Sequence, residues 1–265
     1  MRAGWLTDIH LDWLDDRGRA QFYARIRASD PDAILLGGDI GLADSAAGFL
    51  RELEDALQIP IYFVFGNHDY YGGSIVGTRN LVTRMTAASR YLHWLTGGTV
   101  VELTPTVALI GHDGWADGRL GDYVRSDILL NDYFLIEELS DLSKDERAVR
   151  LNALGDEAAD ALGRLAPQAL ESYRNLFVLT HVPPFREACW HEGQISNDLY
   201  LPHFACKAVG NRLAEVMSVH PGSTMTVLCG HTHSSGFARI LDNLVVYTGG
   251  AEYGEPVLQR VFDLG

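Results

Sequence analysis

The chain has 265 residues, 47% of them hydrophobic, enough for one sizeable core that needs no disulfide framework. Its 35 acidic and 21 basic residues leave a net charge of −14, which counts against unaided nucleic-acid binding, because that rests on Lys and Arg neutralising phosphates. Cys189, Cys206 and Cys229 lack any C-x-x-C spacing, no apolar run approaches the ~20 residues of a membrane span, and Arg2–Leu6 lacks a leader's charged-then-apolar build; a cytoplasmic protein is expected.

Short apolar runs alternate with helical patterns through the first third. Ala3–Ile9, Ala33–Leu36 and Ile61–Phe65 are expected to be buried strands, each closed by Gly or a polar side chain. Between them Gly18–Ala28 and Ser45–Leu57 carry apolar residues at helical spacing and end before prolines. This rhythm implies parallel strands whose carboxyl ends share one edge. A third helix is expected over Ser74–Ala88, then strands Thr99–Leu103 and Val107–Ile110. Residues 112–145 show no clean period. Ala148–Tyr173 is helical in character with an interruption at Pro167, and Leu176–Leu179 is a strand. The stretch from Pro183 to about Asn211 is loop-like before a helix to about Val219. Strands Met225–Cys229, Gly236–Leu241, Leu244–Thr248 and Val257–Phe262 complete the chain.

Metal-ligating side chains fall directly after five of these strands. They are Asp8 and His10 in Thr7-Asp8-Ile9-His10, Asp39 in Gly37-Gly38-Asp39, and Asn67, His68 and Asp69 in Gly66-Asn67-His68-Asp69. His181 in Thr180-His181-Val182-Pro183 follows, then His231 and His233 in Gly230-His231-Thr232-His233. Carboxylate oxygen and imidazole nitrogen suit Mn, Fe, Zn, Co or Ni, and the ligand types alone do not choose among them. Glycines in these runs let backbone approach an ion, and Asp39 could bridge two ions with its two oxygens. His68 directly follows Asn67, so its ring points elsewhere, towards substrate, where it can donate a proton. Taken singly, most of these runs are compatible with ordinary turns or buried histidines; only their joint order is specific.

That order, D-x-H, G-D, G-N-H-[DE], a lone His and G-H-x-H, resembles the calcineurin-like metallophosphoesterases from Asp8 to His233. The resemblance implies one α/β domain over residues 1–265, a four-layer α/β/β/α sandwich of two mixed sheets flanked by helices. Substrate-side insertions are expected around 112–145 and 183–211. It further implies that Asp8, His10, Asp39 and His233 hold one ion and Asp39, Asn67, His181 and His231 the other. His68 resembles the catalytic histidine, with Asp69 as its orienting partner. Many members have Gly before the fourth-motif His, where this chain has Thr180. Two such ions, ~3.5–4 Å apart, would hold a hydroxide for in-line attack on phosphorus while neutralising the phosphoryl oxygens.

The expected function is therefore hydrolysis of a phosphodiester or phosphomonoester of small-molecule or nucleotide size. Tyr70, Tyr71, Trp115, Arg119, Trp190, His191 and His203 are expected to line the substrate pocket, because they lie in loops following or between the metal motifs. His112 and Asp113 are candidates for support behind the ligands; His93 and His220 read as structural. A nuclease is the rival reading, opposed by the acidic charge. A non-catalytic scaffold is opposed by the presence of every ligand position.

Overall fold

A computed structural model describes residues 1–265. In the first half, strands β1 (Arg2–Leu6), β2 (Ala33–Leu36), β3 (Ile61–Phe63) and β4 (Leu92–Trp94) alternate with helices α1 (Asp16–Ala28), α2 (Ala46–Leu57) and α3 (Ile75–Ala87). After β5 (Val101–Thr104) and β6 (Val107–His112) comes an irregular stretch holding the short helix α4 (Asp132–Leu135). The long helix α5 (Lys144–Leu170) and β7 (Asn175–Thr180) follow. A two-residue hairpin, β8 (Trp190–His191) and β9 (Gln194–Ile195), precedes α6 (Leu201–Phe204) and α7 (Lys207–Ser218). The chain closes with β10 (Thr224–Cys229), β11 (Gly236–Leu241), β12 (Leu244–Thr248) and β13 (Arg260–Asp263).

Both sheets are mixed. One has the order β13-β1-β2-β3-β4, parallel except for β13; the other runs β11-β12-β10-β7-β6-β5, parallel except at its two edges. Alternation along the strands builds three cores. Ala3 and Trp5 of β1, Val107 and Leu109 of β6 and Phe177 and Leu179 of β7 fill the space between the sheets. The alternate residues point outwards: Leu6 against α1–α3, and Ala108, Ile110, Leu176 and Val178 against α5 and α7. With both faces covered, the central strands read as continuous apolar runs, which is why they were legible. The result is the expected four-layer arrangement.

Several boundaries differ from the sequence reading. β1 stops at Leu6 and β3 at Phe63, so the ligand runs lie in true loops. α5 starts at Lys144 because Ser143 and Glu146 form a capping box. It also runs through Pro167, which sits in the final turn and therefore costs little continuing helix. β4, only three residues long, gave no periodic signal. α7 begins at Lys207 rather than near Asn211. No helix is long and apolar enough to cross a membrane, and the three cysteines are free and buried.

Candidate metal centre

β1, β2 and β3 of one sheet and β7 and β10 of the other all end at the same edge, and their loops converge there, as ligand loops do in open α/β sheets. Three of these loops turn sharply at the candidate ligands themselves. Asp8, His10, Asp39, His231 and His233 have φ of 52°, 39°, 52°, 73° and 56°, in the left-handed region that non-glycine residues avoid. Such residues cost about 1–3 kcal/mol each and persist where surrounding structure holds them at functional sites. At Asp8 and His10 these turns solve the problem that alternate residues of a strand point apart.

Two donor groups result. In the first, one ligand atom each from Asp8, His10, Asp39 and His233 lies within 4.8 Å of the others. His10 Nε2 is 3.1 Å from His233 Nε2 and 3.8 Å from Asp39 Oδ2, and His233 Nε2 is 3.5 Å from Asp8 Oδ1. In the second, Asn67 Oδ1 is 3.1 Å from His181 Nε2 and 3.0 Å from His231 Nδ1, and His181 Nε2 is 3.4 Å from Asp39 Oδ1. Asp39 thus turns one oxygen to each group. Donors this close, on mutually facing nitrogens and oxygens, match the edge of a shell with bonds of ~2.1 Å.

The surroundings also fit two ions. His181 Nδ1 donates to the Gly37 carbonyl at 2.8 Å and His231 Nε2 to that of His203 at 3.3 Å, which leaves the opposite nitrogen of each ring as a lone-pair donor. Burial lowers His10 and His231 to about 3, so both are neutral, the metal-binding form. Burial alone would raise Asp39, but His181, His68 and His10 hold it well below the usual carboxylate range. Burial likewise pushes His181 down, yet Asp39 and Asp8 carry it up to about 10. The two buried carboxylates thus favour positive charge at this spot. Glycine is required at two places: a Cβ on Gly66 would strike Asp39 Oδ1 and His181, and one on Gly230 would strike the Asp8 carboxylate and the Thr7 hydroxyl.

His68 lies beside both groups, its ring stacked on Tyr71 at 4.4 Å and edge-on to His10 at 4.7 Å, with Nε2 4.0 Å from Asp39 Oδ2. Asp69 is not its orienting partner. The Asp69 carboxylate accepts backbone N–H groups from Asp39, Ile40, Gly41 and Gly66 at 2.8–3.1 Å, and so ties the second ligand loop to the third.

A pocket of about 250 Å³ opens over the centre, with His68, Tyr71, Asn131, His191, Phe204 and Tyr253 in its lining. Of the expected pocket residues, Tyr71 and His191 line it. Trp115 and His203 lie one layer deeper, against a void of about 10 Å³ behind His181 and His231. The other three are elsewhere. Tyr70 is fully buried and donates to Asp113 at 2.7 Å; Arg119 is drawn outwards by Asp117, Asn152 and Asp156; the Trp190 indole packs over Gly236. Each had been placed by loop membership, and its own partner redirected it.

Three supporting residues escaped the sequence reading or stood at its margin. Asp113 accepts from Phe65 N, Tyr70 Oη, Trp94 Nε1 and Thr96 Oγ1, bracing the loop that leads into Asn67; His112 instead faces Glu157. Buried Asp132 accepts Asn67 Nδ2 at 2.9 Å and Tyr71 Oη at 2.6 Å, which turns the Asn67 oxygen to the centre. Tyr253 covers His10 at 4.6 Å and His233 at 5.1 Å. Replacing Asp132 by Ala will free the Asn67 amide to flip, and we expect one ion to bind about 10–100-fold more weakly by titration calorimetry, the usual loss on removing such a support.

The sequence matches the family model described as calcineurin-like phosphoesterase over residues 1–235. A 91-residue stretch is 32% identical to a zebrafish (Danio rerio) transmembrane protein with metallophosphoesterase domain, and spans only 20% of that protein's length. Two solved structures share the fold at low identity. A phosphopantetheinyl hydrolase from Mycobacterium tuberculosis matches with TM-score 0.65 at 13% identity, over 94% of this chain and 89% of that one. A dimetal phosphatase from Danio rerio matches with TM-score 0.60 at 15% identity, over 94% and 87%. With its candidate ligands gathered at one sheet edge, the chain belongs to the calcineurin-like phosphoesterase family, whose members are metal-dependent hydrolases of phosphate esters.

Proposed function

We propose that this protein hydrolyses a small phosphorylated molecule, with Asp8, His10, Asp39 and His233 holding one ion and Asp39, Asn67, His181 and His231 the other. The observation that carries this reading is the double-facing Asp39 carboxylate between two donor groups, directly beneath an open pocket. When bound, the two ions supply an activated water and neutralise charge on the phosphoryl oxygens. The chain's own part is to hold the leaving oxygen beside His68, whose partly exposed ring moves a proton to it. Tyr71 keeps that ring flat against the wall, and Asp132 keeps Tyr71 in place. A reducing, cytoplasmic setting accompanies this reading, in line with three free cysteines.

A pocket of about 250 Å³ suits a small substrate, and it offers no cationic track for a polymer backbone. Protein reconstituted in turn with Mn, Fe, Zn, Co and Ni should bind close to two ions by mass spectrometry and hydrolyse bis-p-nitrophenyl phosphate. It should leave single-stranded and duplex DNA uncut. Absence of any bindable metal refutes the reading, and efficient DNA cleavage replaces it with a nuclease.

A further inference from the structure

Twelve residues line the pocket above the metal centre, and none is Lys or Arg, although the chain has 21 such residues. The carboxylate that the pocket does present outside the ligand set is Asp132, part of its wall. Sites that grip a second phosphate, or the extra charge of a monoester, ordinarily present a guanidinium or ammonium for it. Outside the ligand set, the pocket's side-chain nitrogen donors are the imidazoles of His68 and His191 and the amide of Asn131, none of them a permanent cation.

The aromatic arrangement is equally lopsided. Tyr71 is stacked on His68 and its hydroxyl is committed to Asp132. Tyr253 and Trp13, by contrast, lie against each other at 4.8 Å, are 42% and 61% exposed, and continue outwards from the rings of His10 and His68. Both rings keep apolar area in solvent beside the centre, Tyr253 while also covering His10 and His233.

Building on the phosphoesterase reading, we propose that the substrate is a singly charged phosphodiester whose leaving portion is an uncharged flat ring resting on Tyr253 and Trp13. The ring lies on that side because the leaving oxygen must stay within reach of His68, and Tyr253 is the exposed ring next to it. Monoesters and nucleoside polyphosphates bring a second negative charge that no Lys or Arg of the pocket meets, so it would rest on the metal ions alone. Asn131, exposed in the pocket lining, is where one added cation would remove most of the preference.

Two esters with the same leaving group test the charge claim: methyl p-nitrophenyl phosphate and p-nitrophenyl phosphate, assayed on the metal-loaded protein. The diester should have the higher kcat/KM by about 10–100-fold, the worth of one missing charge-assisted hydrogen bond, and Asn131→Arg should remove most of that gap. Trp13→Ala should raise KM for the diester by about 3–10-fold with kcat little changed, and Trp13→Phe should restore it. Independently of turnover, p-nitrophenol should quench the Trp13 emission of the metal-free protein, measured as the difference between wild type and Trp13→Phe. A monoester handled as well as the diester, or a gap unmoved by Asn131→Arg, overturns the charge assignment. Unchanged KM in Trp13→Ala together with no quenching overturns the ring. Failure of two-metal protein to hydrolyse either ester is a different result, and refutes the phosphoesterase reading itself.

Discussion

Purified His68→Ala protein will bind two metal ions as wild type does and lose about 10²–10⁴-fold in kcat, the range that a positioned proton donor supplies. The separation of the two effects follows from where the residue stands. His68 Nε2 is 4.0 Å from Asp39 Oδ2, farther than the closest donor pairs of either group at 3.0–3.1 Å, and its ring is partly exposed to the pocket rather than sunk among the ligands. Its backbone N–H donates to Asp39 Oδ1 at 3.0 Å, and that bond survives truncation of the side chain. Metal content by mass spectrometry and turnover of bis-p-nitrophenyl phosphate read the two effects separately. Substrates with a better leaving group should recover part of the lost rate, since they need less protonation. Loss of metal in step with activity would make His68 a ligand and refute the assignment.

Gly230→Ala will be more damaging, and at the metals themselves. A methyl group there enters the space of the Asp8 carboxylate and the Thr7 hydroxyl that donates to it at 2.5 Å, and the His231 backbone N–H that also donates to Asp8, at 2.9 Å, must move too. Asp8, His231 and His233 then all shift relative to Asp39, so the variant should bind metal about 100-fold or more weakly, at or beyond the upper range for disturbing a ligand's support. Overpacking should also lower the stability of the metal-free fold by about 1–3 kcal/mol. Gly48→Ala is the control: on exposed helix α2 its added methyl meets nothing, and it should leave metal binding intact while stabilising the fold by about 0.5–1 kcal/mol. Equal metal affinity in Gly230→Ala and wild type would show that the crowding is relieved by a movement the centre tolerates.

Much of this molecule could be read without coordinates. The strands of both sheets announced themselves because each is buried on two faces, which forces unbroken runs such as Ala33–Leu36 and Leu176–Leu179. The candidate ligand residues stood out equally, since Asp, Asn and His directly after an apolar run, beside glycine, form a local pattern. Asp69 shows the limit of that kind of pattern. Its place beside His68 in sequence suggested a partnership, yet its carboxylate serves backbone N–H groups some 28 to 30 residues upstream, and Gly66.

The composition of the pocket belonged to the tertiary structure alone. Asp132 meets Asn67 across 65 residues, and Tyr253 reaches His10 from the far end of the chain. Neither sits in a periodic or motif-like context, so nothing nearby in sequence marks it. Arg119, Trp190 and Tyr70 carry suitable side chains on suitable loops, but a carboxylate pair, a glycine surface and Asp113 hold them elsewhere. Chemistry at a metal centre is written into residue type and short spacing because ligands must follow strand ends directly. Specificity is written into which loop surfaces meet, and that depends on packing between segments that share no local signal.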